Sequence, residues 1–381
     1  MAELSREEIL RYSRHLVMPE VTLEGQLKLK AARVLCVGAG GLGSPLTLYL
    51  AAAGVGTIGL VDFDVVDLTN IQRQILYATS DVGRPKLDAA SERLSQLNTD
   101  IVIRRHDLRL AGDNVMDIVN DYDLVVDGTD NFPTRYLVND ACVFAGKPNV
   151  YGSIFRFEGQ VSVFDARRGP CYRCLFPEPP PPGAVPSCAE GGVLGVLPGI
   201  IGTLQALEVI KLILGGGRPL ISRLVLFDAL EFEFRELKLK KDPNCVVCGA
   251  TPTIREPIDY DAFCSGSAKQ SAPAMNVPGI SVEEFAALKE SVAAELIDVR
   301  NPHEFDIVCI PGARKIPLGD LQARLGELDQ ATPYIITCHK GPRSIRAYQL
   351  MKQAGFTQIR ILTGGVDAWA EKIDPSLSRY G

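Results

Sequence analysis

A glycine-rich turn lies near the amino terminus, where Gly38, Gly40 and Gly43 form the pattern G-x-G-x-x-G after a short apolar run. Glycines let the backbone approach a phosphate closely, and the free amides at the start of the next helix stabilise its negative charge. Asp62 ends the next apolar run, where a carboxylate can accept hydrogen bonds from ribose hydroxyls. The pattern predicts a site for a mononucleotide or a dinucleotide. The alternative is a tight turn that needs small residues only for helix packing.

Two cations follow this turn: Arg73, in the stretch 70–74, and Lys86. A nicotinamide cofactor has only a pyrophosphate to neutralise, whereas a triphosphate that reacts at its α-phosphorus gains from positive charge placed beyond the glycines. Taken alone, each cation is more often a solvated surface charge. Together with the glycine turn, the two cations favour ATP over a nicotinamide cofactor.

Two carboxylates, Asp127 and Asp130, follow a further apolar run at 124–126. Ligands collect at such strand ends in α/β folds, and a carboxylate that faces a triphosphate is a candidate magnesium ligand. We choose Asp130 over Asp127 for that role. The alternative is that Asp130 or Asn131 only caps the helix that begins near Pro133.

Two C-x-x-C pairs, Cys171 with Cys174 and Cys245 with Cys248, form a candidate metal site. This spacing lets two thiolates bind one ion at ~2.3 Å, and two pairs complete a tetrahedral set that leaves no open position for substrate. A redox-active pair is the alternative, but neither pair lies at the strand-to-helix turn that redox chemistry uses. We predict a structural zinc that joins the late segment to the middle of the first domain.

Two further cysteines are candidate reactive thiols. Cys338 begins a loop that ends at Arg343 and precedes a helical pattern. The loop amides, the helix amino terminus and the cations Lys340 and Arg343 would favour the thiolate and hold a terminal persulfide sulfur. A buried, inert cysteine is equally compatible with this spacing. Cys188 follows the proline-rich segment 177–186, and loops of this kind carry function more often than packing.

The elements that must position these groups alternate between strands and helices. The alternation predicts a Rossmann-like, doubly wound, mostly parallel sheet, and then a smaller α/β domain after a stretch of small residues and prolines. We predict a first domain at 1–262, a linker at 263–279 and a second domain at 280–381. The predicted strands lie at 33–37, 57–61, 101–104, 124–126, 159–164, 296–300 and 334–337, and the helices at 45–53, 85–97, 134–145, 282–289 and 344–354.

Composition and charge exclude several classes of protein. The 381 residues carry 40 basic and 46 acidic side chains, without the cationic run that a nucleic-acid arm needs. The amino terminus is charged where a signal peptide would be apolar. The longest apolar stretch, 193–204, is interrupted by Gly195, Pro198 and Gly202 and falls short of the ~18 residues of a membrane helix. We expect a cytoplasmic protein that binds neither nucleic acid nor membrane.

The first domain resembles the adenylyltransferases related to ubiquitin-activating enzyme, most of all those that activate molybdopterin- and thiamine-type sulfur carriers. The resemblance covers 4–249 and implies that ATP and its magnesium bind to a defined set of residues. It also implies a homodimer in which Arg14 reaches the site of the opposite subunit, and a thioester or resolving role for Cys188. The motifs that carry the resemblance are 11–16, the glycine turn, 62–64, Asn70, Arg73, Gln74, Lys86 and 129–131. The ligands of ATP and magnesium that it implies are Gly41, Asp62, Asn70, Arg73, Lys86, Asp130 and Asn131.

The segment 280–369 resembles a rhodanese domain, in which the cysteine at the position of Cys338 carries sulfur. The resemblance rests on 298–300, the 338–343 loop and the pattern Gly364-Gly365-x-x-x-Trp369. We therefore expect adenylation of the carboxyl-terminal Gly-Gly carboxylate of a ubiquitin-like sulfur carrier. A Cys338 persulfide, loaded by a donor such as a cysteine desulfurase, would then convert the carboxylate into a thiocarboxylate.

Three alternatives remain open at this point. A nicotinamide-dependent oxidoreductase would share the glycine turn, but Arg73 and Lys86 would have no function in it. A ubiquitin-type conjugating enzyme would keep a thioester on Cys188 and transfer the carrier to a protein lysine. In the third alternative the second domain is only a docking module. The sequence leaves open which carrier is used and whether the sulfur goes to molybdopterin, thiamine, cysteine or tRNA.

Overall fold

The computed structural model describes residues 3–181, 191–265, 277–288 and 294–380. It divides into two compact units, residues 1–269 and 270–381. Cys188 lies outside the described residues, as does most of the predicted linker. Helix α10 (Tyr260–Ser265) spans the predicted boundary at 262, and its Phe263 contacts the ring of Tyr136.

The first unit is built on an eight-stranded sheet in the order β3-β2-β1-β4-β5-β6-β7-β8. The strands from β3 to β5 are parallel to one another, whereas β6, β7 and β8 are each antiparallel to their neighbours. The doubly wound, mostly parallel sheet is therefore confirmed, and the sequence missed β5, β7 and β8. The bounds are β1 Arg33–Val37, β2 Thr57–Asp62, β3 Val102–Asp107, β4 Leu124–Asp127, β5 Asn149–Phe155, β6 Glu158–Phe164, β7 Arg223–Asp228 and β8 Glu233–Lys238.

Helices cover both faces of this sheet and bury one apolar core on each. The core on one face includes Leu46 of α4 and Leu94 of α5, and the core on the other includes Val119 of α6 and Leu137 of α7. The helices of the unit are α1 Arg6–Arg11, α2 Ser13–Leu16, α3 Thr22–Ala31, α4 Gly43–Ala53, α5 Lys86–Leu97, α6 Val115–Asn120, α7 Phe132–Ala145, α8 Tyr172–Leu175, α9 Val196–Leu214 and α10.

The helix α9 corrects the prediction for the apolar stretch 193–204, which continues as a 19-residue helix to Leu214. Pro198 lies in its first turn, where the missing amide costs no helical hydrogen bond. A Cβ at Gly202 would lie 2.4 Å from the Leu42 carbonyl oxygen, so this glycine permits close packing on α4. By length and composition alone, this one helix among the described residues could cross a membrane. It packs on β5, β6 and α4, as a core helix does.

The second unit is a smaller α/β domain with a five-stranded parallel sheet in the order β11-β10-β12-β13-β9. Two apolar clusters are buried in this unit, and they include Ile336 and Trp369 respectively. The bounds are β9 Gly279–Ile280, α11 Val282–Leu288, β10 Glu295–Asp298, α12 Pro302–Phe305, β11 Arg314–Lys315, α13 Leu318–Arg324, β12 Tyr334–Thr337, α14 Pro342–Gln353, β13 Ile359–Leu362 and α15 Gly365–Lys372.

Candidate functional site

The glycine turn joins β1 to α4 and needs glycine for steric reasons. Gly38 has a φ of +94°, and a Cβ there would lie 2.9 Å from the Gly128 carbonyl oxygen. A Cβ at Gly43 would lie 2.1 Å from the Gly38 carbonyl oxygen. One Asp62 oxygen accepts from the Ala39 amide at 2.9 Å, and the other accepts from the Asp64 amide at 3.0 Å. Asp62 thus holds the turn in shape as well as facing the space in front of it.

A cavity of about 700 Å³ opens in front of this turn, at the carboxyl ends of β1, β2 and β4. Most of the predicted nucleotide-binding residues line it. Asn70 and Arg14 do not: Asn70 accepts from the Asp67 amide in a turn, and Arg14 is exposed on α2. The residues of the predicted set that line the cavity are Gly41, Asp62, Arg73, Lys86, Asp130 and Asn131.

Both cations proposed from the sequence lie at this cavity rather than in open solvent. Lys86 is 5% exposed, and its Nζ lies 2.8 Å from a carboxylate oxygen of Asp64. Arg73 is half-buried, and its Nη1 donates to the Thr69 carbonyl at 2.9 Å. Because Asp64 is more than half exposed, water screens its charge, and the Lys86 ammonium keeps positive potential at the cavity wall.

The two carboxylates after β4 have different environments. Asp127 is fully buried, and one of its oxygens accepts from the Thr129 amide and hydroxyl at 3.0 and 2.6 Å. Burial raises the pKa of Asp127. Asp130 is exposed and lines the cavity, which supports choosing it over Asp127. The side chain of Asn131 accepts from the Thr134 amide at 3.0 Å, so this residue caps α7, and it also lines the cavity.

Sequence reasoning missed Arg135, which lines the cavity although it is 7% exposed. Its Nη2 donates to the Thr129 carbonyl at 3.0 Å, and its Nε lies 3.6 Å from Asp127. The guanidinium lies over the ring of Tyr151, 5.1 Å from the centroid. Arg135 therefore supports the loop that carries Asp130. The only sequence signal for Arg135 was its position one helical turn after Asn131, the residue that caps α7. An arginine is usually exposed, so this position did not indicate that Arg135 lines the cavity.

The four cysteine sulfurs lie within 4.8 Å of one another. Sulfur–sulfur distances are 3.9 Å for Cys171–Cys174, 3.6 Å for Cys171–Cys245 and 3.4 Å for Cys174–Cys248. A tetrahedral ion with ~2.3 Å bonds places its sulfur ligands about 3.8 Å apart, whereas a disulfide bond is ~2.05 Å long. The four thiols therefore fit a closed tetrahedral metal site and are not disulfide-bonded.

A buried ion pair ties the first cysteine pair to the rest of the unit. Arg173 lies between Cys171 and Cys174. Its Nε and Nη2 each donate to one carboxylate oxygen of Asp140 on α7, both at 2.8 Å. The Tyr260 hydroxyl donates to the same carboxylate at 2.9 Å. The loop that carries Cys171 and Cys174 is thus fixed to the helix whose first turn borders the cavity.

In the second unit, Cys338 directly follows β12 and is 1% exposed. The Gly341 amide donates to its sulfur at 3.1 Å. Its own carbonyl accepts from the Val366 amide at 2.9 Å. A Cβ at Gly365 would lie 2.3 Å from that carbonyl oxygen, so the glycine lets α15 approach the loop. The sulfur thus lies inside the loop with a backbone amide as hydrogen-bond donor.

The loop ends at Arg343, whose two terminal nitrogens donate to the two oxygens of Glu304 at 2.5 and 2.8 Å. Burial alone would raise the pKa of Glu304, but hydrogen bonds from Arg343, the Asn301 amide and Tyr380 outweigh burial and lower this pKa to about 2. Glu304 therefore offsets part of the positive charge that Arg343 brings to the Cys338 loop.

Two family models match the chain: the ThiF family over residues 12–247 and the rhodanese-like domain over residues 281–372. The probable adenylyltransferase/sulfurtransferase MoeZ of Mycobacterium tuberculosis is 50% identical, over 99% of this chain and 96% of its own length. The sulfur carrier protein adenylyltransferase of Thermus thermophilus is 54% identical, over 68% of this chain and 98% of its own length. The crystal structure of E. coli MccB with ATP covers 63% of this chain and 73% of its own, with a TM-score of 0.56 and 25% identity.

Proposed function

Because the chain belongs to the ThiF family and ends in a rhodanese-like domain, we propose that it adenylates a ubiquitin-like sulfur carrier and then converts it into a thiocarboxylate. The enzyme is an adenylyltransferase and sulfurtransferase, like its relatives. The observation that carries the proposal is a nucleotide-sized cavity with two cations, on the same chain as a buried cysteine whose sulfur accepts from a loop amide.

In the first step, a carboxylate oxygen of the carrier's terminal glycine attacks the α-phosphorus of ATP. The bond from that phosphorus to the bridging oxygen breaks, pyrophosphate leaves, and the carrier becomes an acyl-adenylate. Arg73 and Lys86 stabilise the charge that builds on the phosphates, while the glycine-turn amides hold the nucleotide. Catalysis rests on positioning and charge neutralisation, since the protein forms no covalent bond in this step.

Magnesium fits the cavity because Asp130 offers it an exposed carboxylate beside the proposed phosphate site. When bound, the ion supplies further positive charge to the triphosphate. Asp62 and Asn131 border the same cavity, and we propose that they contact the nucleotide as well. Asn70 does not line the cavity, so we propose that it supports the segment that carries Arg73.

In the second step, the terminal sulfur of a Cys338 persulfide attacks the activated carbonyl carbon, and AMP leaves. The product is an acyl disulfide that joins the carrier to the Cys338 sulfur. A second thiolate, for which we propose Cys188, attacks the Cys338 sulfur and releases the thiocarboxylate. That attack leaves a Cys188–Cys338 disulfide, which a cellular dithiol must reduce before the next turnover. A persulfide donor such as a cysteine desulfurase reloads Cys338.

We further propose a homodimer in the cytoplasm. Arg14 is exposed on α2 and does not line the cavity of its own chain. An arginine placed in this way is available to the site of a second subunit, where it would add a third cation to the triphosphate. The acidic composition, with a formal net charge of -6, is suited to a freely diffusing protein.

ATP–pyrophosphate exchange tests the proposed function directly. We expect exchange only when ATP, magnesium and a carrier with a free Gly-Gly terminus are all present, because the carrier carboxylate is the nucleophile. The matched control is the same carrier without its last glycine, which should give background exchange. A result in which nicotinamide dinucleotides, but not ATP, raise the melting temperature would contradict the proposal. A thiol-sensitive carrier conjugate that moves on to protein lysines would favour the conjugating enzyme.

We propose that the four-cysteine site holds zinc in a structural role. Protein purified without chelator should contain one zinc per cluster, measured by elemental analysis. Replacing Cys174 with serine should release the metal and lower the melting temperature of the first unit by about 10 °C, because metal binding contributes directly to folding free energy. The matched control is Cys309→Ser, a half-buried cysteine of the second unit. Metal-free protein with an unchanged melting temperature would contradict the prediction.

A further inference from the structure

The carboxyl-terminal residues of the chain lie against the Cys338 loop. The ring of Tyr380 stacks on the imidazole of His339, with 4.2 Å between ring centroids and 14° between ring planes. His339 directly follows Cys338 and is 9% exposed. The preceding residue, Arg379, anchors this tail by donating to Asp367 at 2.9 Å and to Glu371 at 2.7 Å, both on α15. The loop is therefore covered by a segment that is remote from it in sequence.

The hydroxyl of Tyr380 makes two charge-assisted hydrogen bonds. It donates to one oxygen of Glu304 at 2.7 Å and accepts from Nη1 of Arg300 at 2.9 Å. The same carboxylate binds both terminal nitrogens of Arg343, the last residue of the loop. Tyr380 thus contacts the start of the loop through its ring and the end of the loop through Glu304.

We propose that Tyr380 is a positioning residue for sulfur transfer, which fixes both ends of the 338–343 loop so that the Gly341 amide points at the Cys338 sulfur. The inference rests on the proposed role of Cys338 as a sulfur carrier. Its physical basis is the short contact from the Gly341 amide to that sulfur, 3.1 Å. A displacement of ~1 Å at a reacting centre can cost about 100-fold in rate. Tyr380 restrains His339, which lies between Cys338 and Gly341, and it restrains Arg343 through Glu304.

Sulfur transfer from thiosulfate to cyanide tests the proposal without a carrier or ATP. The Cys338 thiolate attacks the outer sulfur of thiosulfate, the sulfur–sulfur bond breaks and sulfite leaves. Cyanide then attacks the terminal persulfide sulfur, thiocyanate leaves and the thiolate is restored. We expect the full-length Tyr380→Phe variant, which keeps the ring, to lose about tenfold in kcat/KM for thiosulfate. Tyr380→Ala, which loses both contacts, should lose about 100-fold.

The matched control is Tyr334→Phe, which removes a hydroxyl from the other end of β12. This variant should keep wild-type kcat/KM. Melting temperatures of all three variants separate positioning from stability, because Tyr380→Phe should melt close to the wild type while transferring sulfur more slowly. Wild-type rates in Tyr380→Phe or Tyr380→Ala would overturn the proposal, as would rates that fall only in proportion to melting temperature.

The protonation of His339, followed by NMR, is an independent readout, since the chain has only four histidines. Burial lowers the pKa of this imidazole, Lys340 lowers it further, and Asp367 and Glu304 oppose the shift. Removing the Tyr380 ring uncovers the imidazole, so its pKa should rise in Tyr380→Ala and stay low in Tyr380→Phe. An unchanged pKa in Tyr380→Ala would overturn the proposal.

If the wild type itself fails to use thiosulfate, the proposed persulfide role of Cys338 fails instead, while the NMR result still reports on Tyr380.

Discussion

Replacing Cys338 with alanine should lower thiocarboxylate formation on the carrier by at least about 1,000-fold, because the variant has no nucleophile to hold the transferred sulfur. ATP–pyrophosphate exchange should stay within about twofold of the wild type, since the described residues that line the cavity proposed for adenylation all belong to the first unit. Mass spectrometry of the intact carrier measures the first quantity through the mass gained when sulfur replaces oxygen. Pyrophosphate exchange measures the second in the same preparation.

The matched control for this prediction is Cys309→Ala, which removes a half-buried thiol from the same unit and should leave both activities unchanged. Wild-type sulfur transfer in Cys338→Ala would contradict the persulfide mechanism and favour the second unit as a docking module. Cys338 is buried against a core that includes Ile336 and Ala347, so a melting curve should accompany the assay. Loss of transfer with normal melting and normal exchange is the expected combination.

Strands β1, β2 and β4 of the parallel part of the first sheet could be predicted from sequence because their residues are almost all buried. Such strands are continuous apolar runs, and the run 33–37 became β1 with the same bounds. Strand β8 lacks this signal. All six residues of β8 are exposed, and charged residues alternate poorly with apolar ones along it. Only its pairing with β7 defines β8 as a strand, and pairing is a tertiary property.

The candidate site could be predicted where the chemistry depends on residue type and local spacing. The cysteine pairs, the glycine turn and Cys338 are of this kind. The long-range partners were not predictable, since nothing in the sequence indicates that Arg343 binds Glu304, or that Tyr380 lies on His339. In both cases a polar side chain meets a partner that is distant in sequence.

The four-cysteine cluster and the cavity are linked through one helix, α7. Asp140, in the middle of α7, binds Arg173 of the cysteine loop in a fully buried ion pair. The first turn of α7 is capped by Asn131, next to Asp130 at the cavity wall. Loss of one partner would leave the other charge buried and unpaired, a cost of about 3–5 kcal/mol. The helix is therefore held at a fixed position relative to both sites.

Replacing Lys86 with methionine or Arg73 with alanine should each lower kcat for ATP–pyrophosphate exchange by about 100- to 1,000-fold, with a smaller effect on the KM for ATP. Each cation is proposed to stabilise charge that develops as the α-phosphorus is attacked, and one preorganised donor of this kind contributes a factor of that size. Lys86→Met should fold, because methionine fills the buried volume and the Asp64 carboxylate, which loses its ion-pair partner, is 55% exposed to water.

Arg84→Ala is the matched control, because Arg84 lies between the two cations in sequence yet binds Asp81 and Glu92 rather than lining the cavity. It should exchange pyrophosphate at the wild-type rate. Whether the substitutions change kcat or KM shows how the two cations act. A rise in KM at constant kcat would mean that they bind ATP equally strongly in the ground state and the transition state. In that case the glycine turn and the proposed magnesium ion would have to stabilise the transition state without them. An unchanged kcat/KM in both variants would remove the main physical reason for preferring a triphosphate at this cavity.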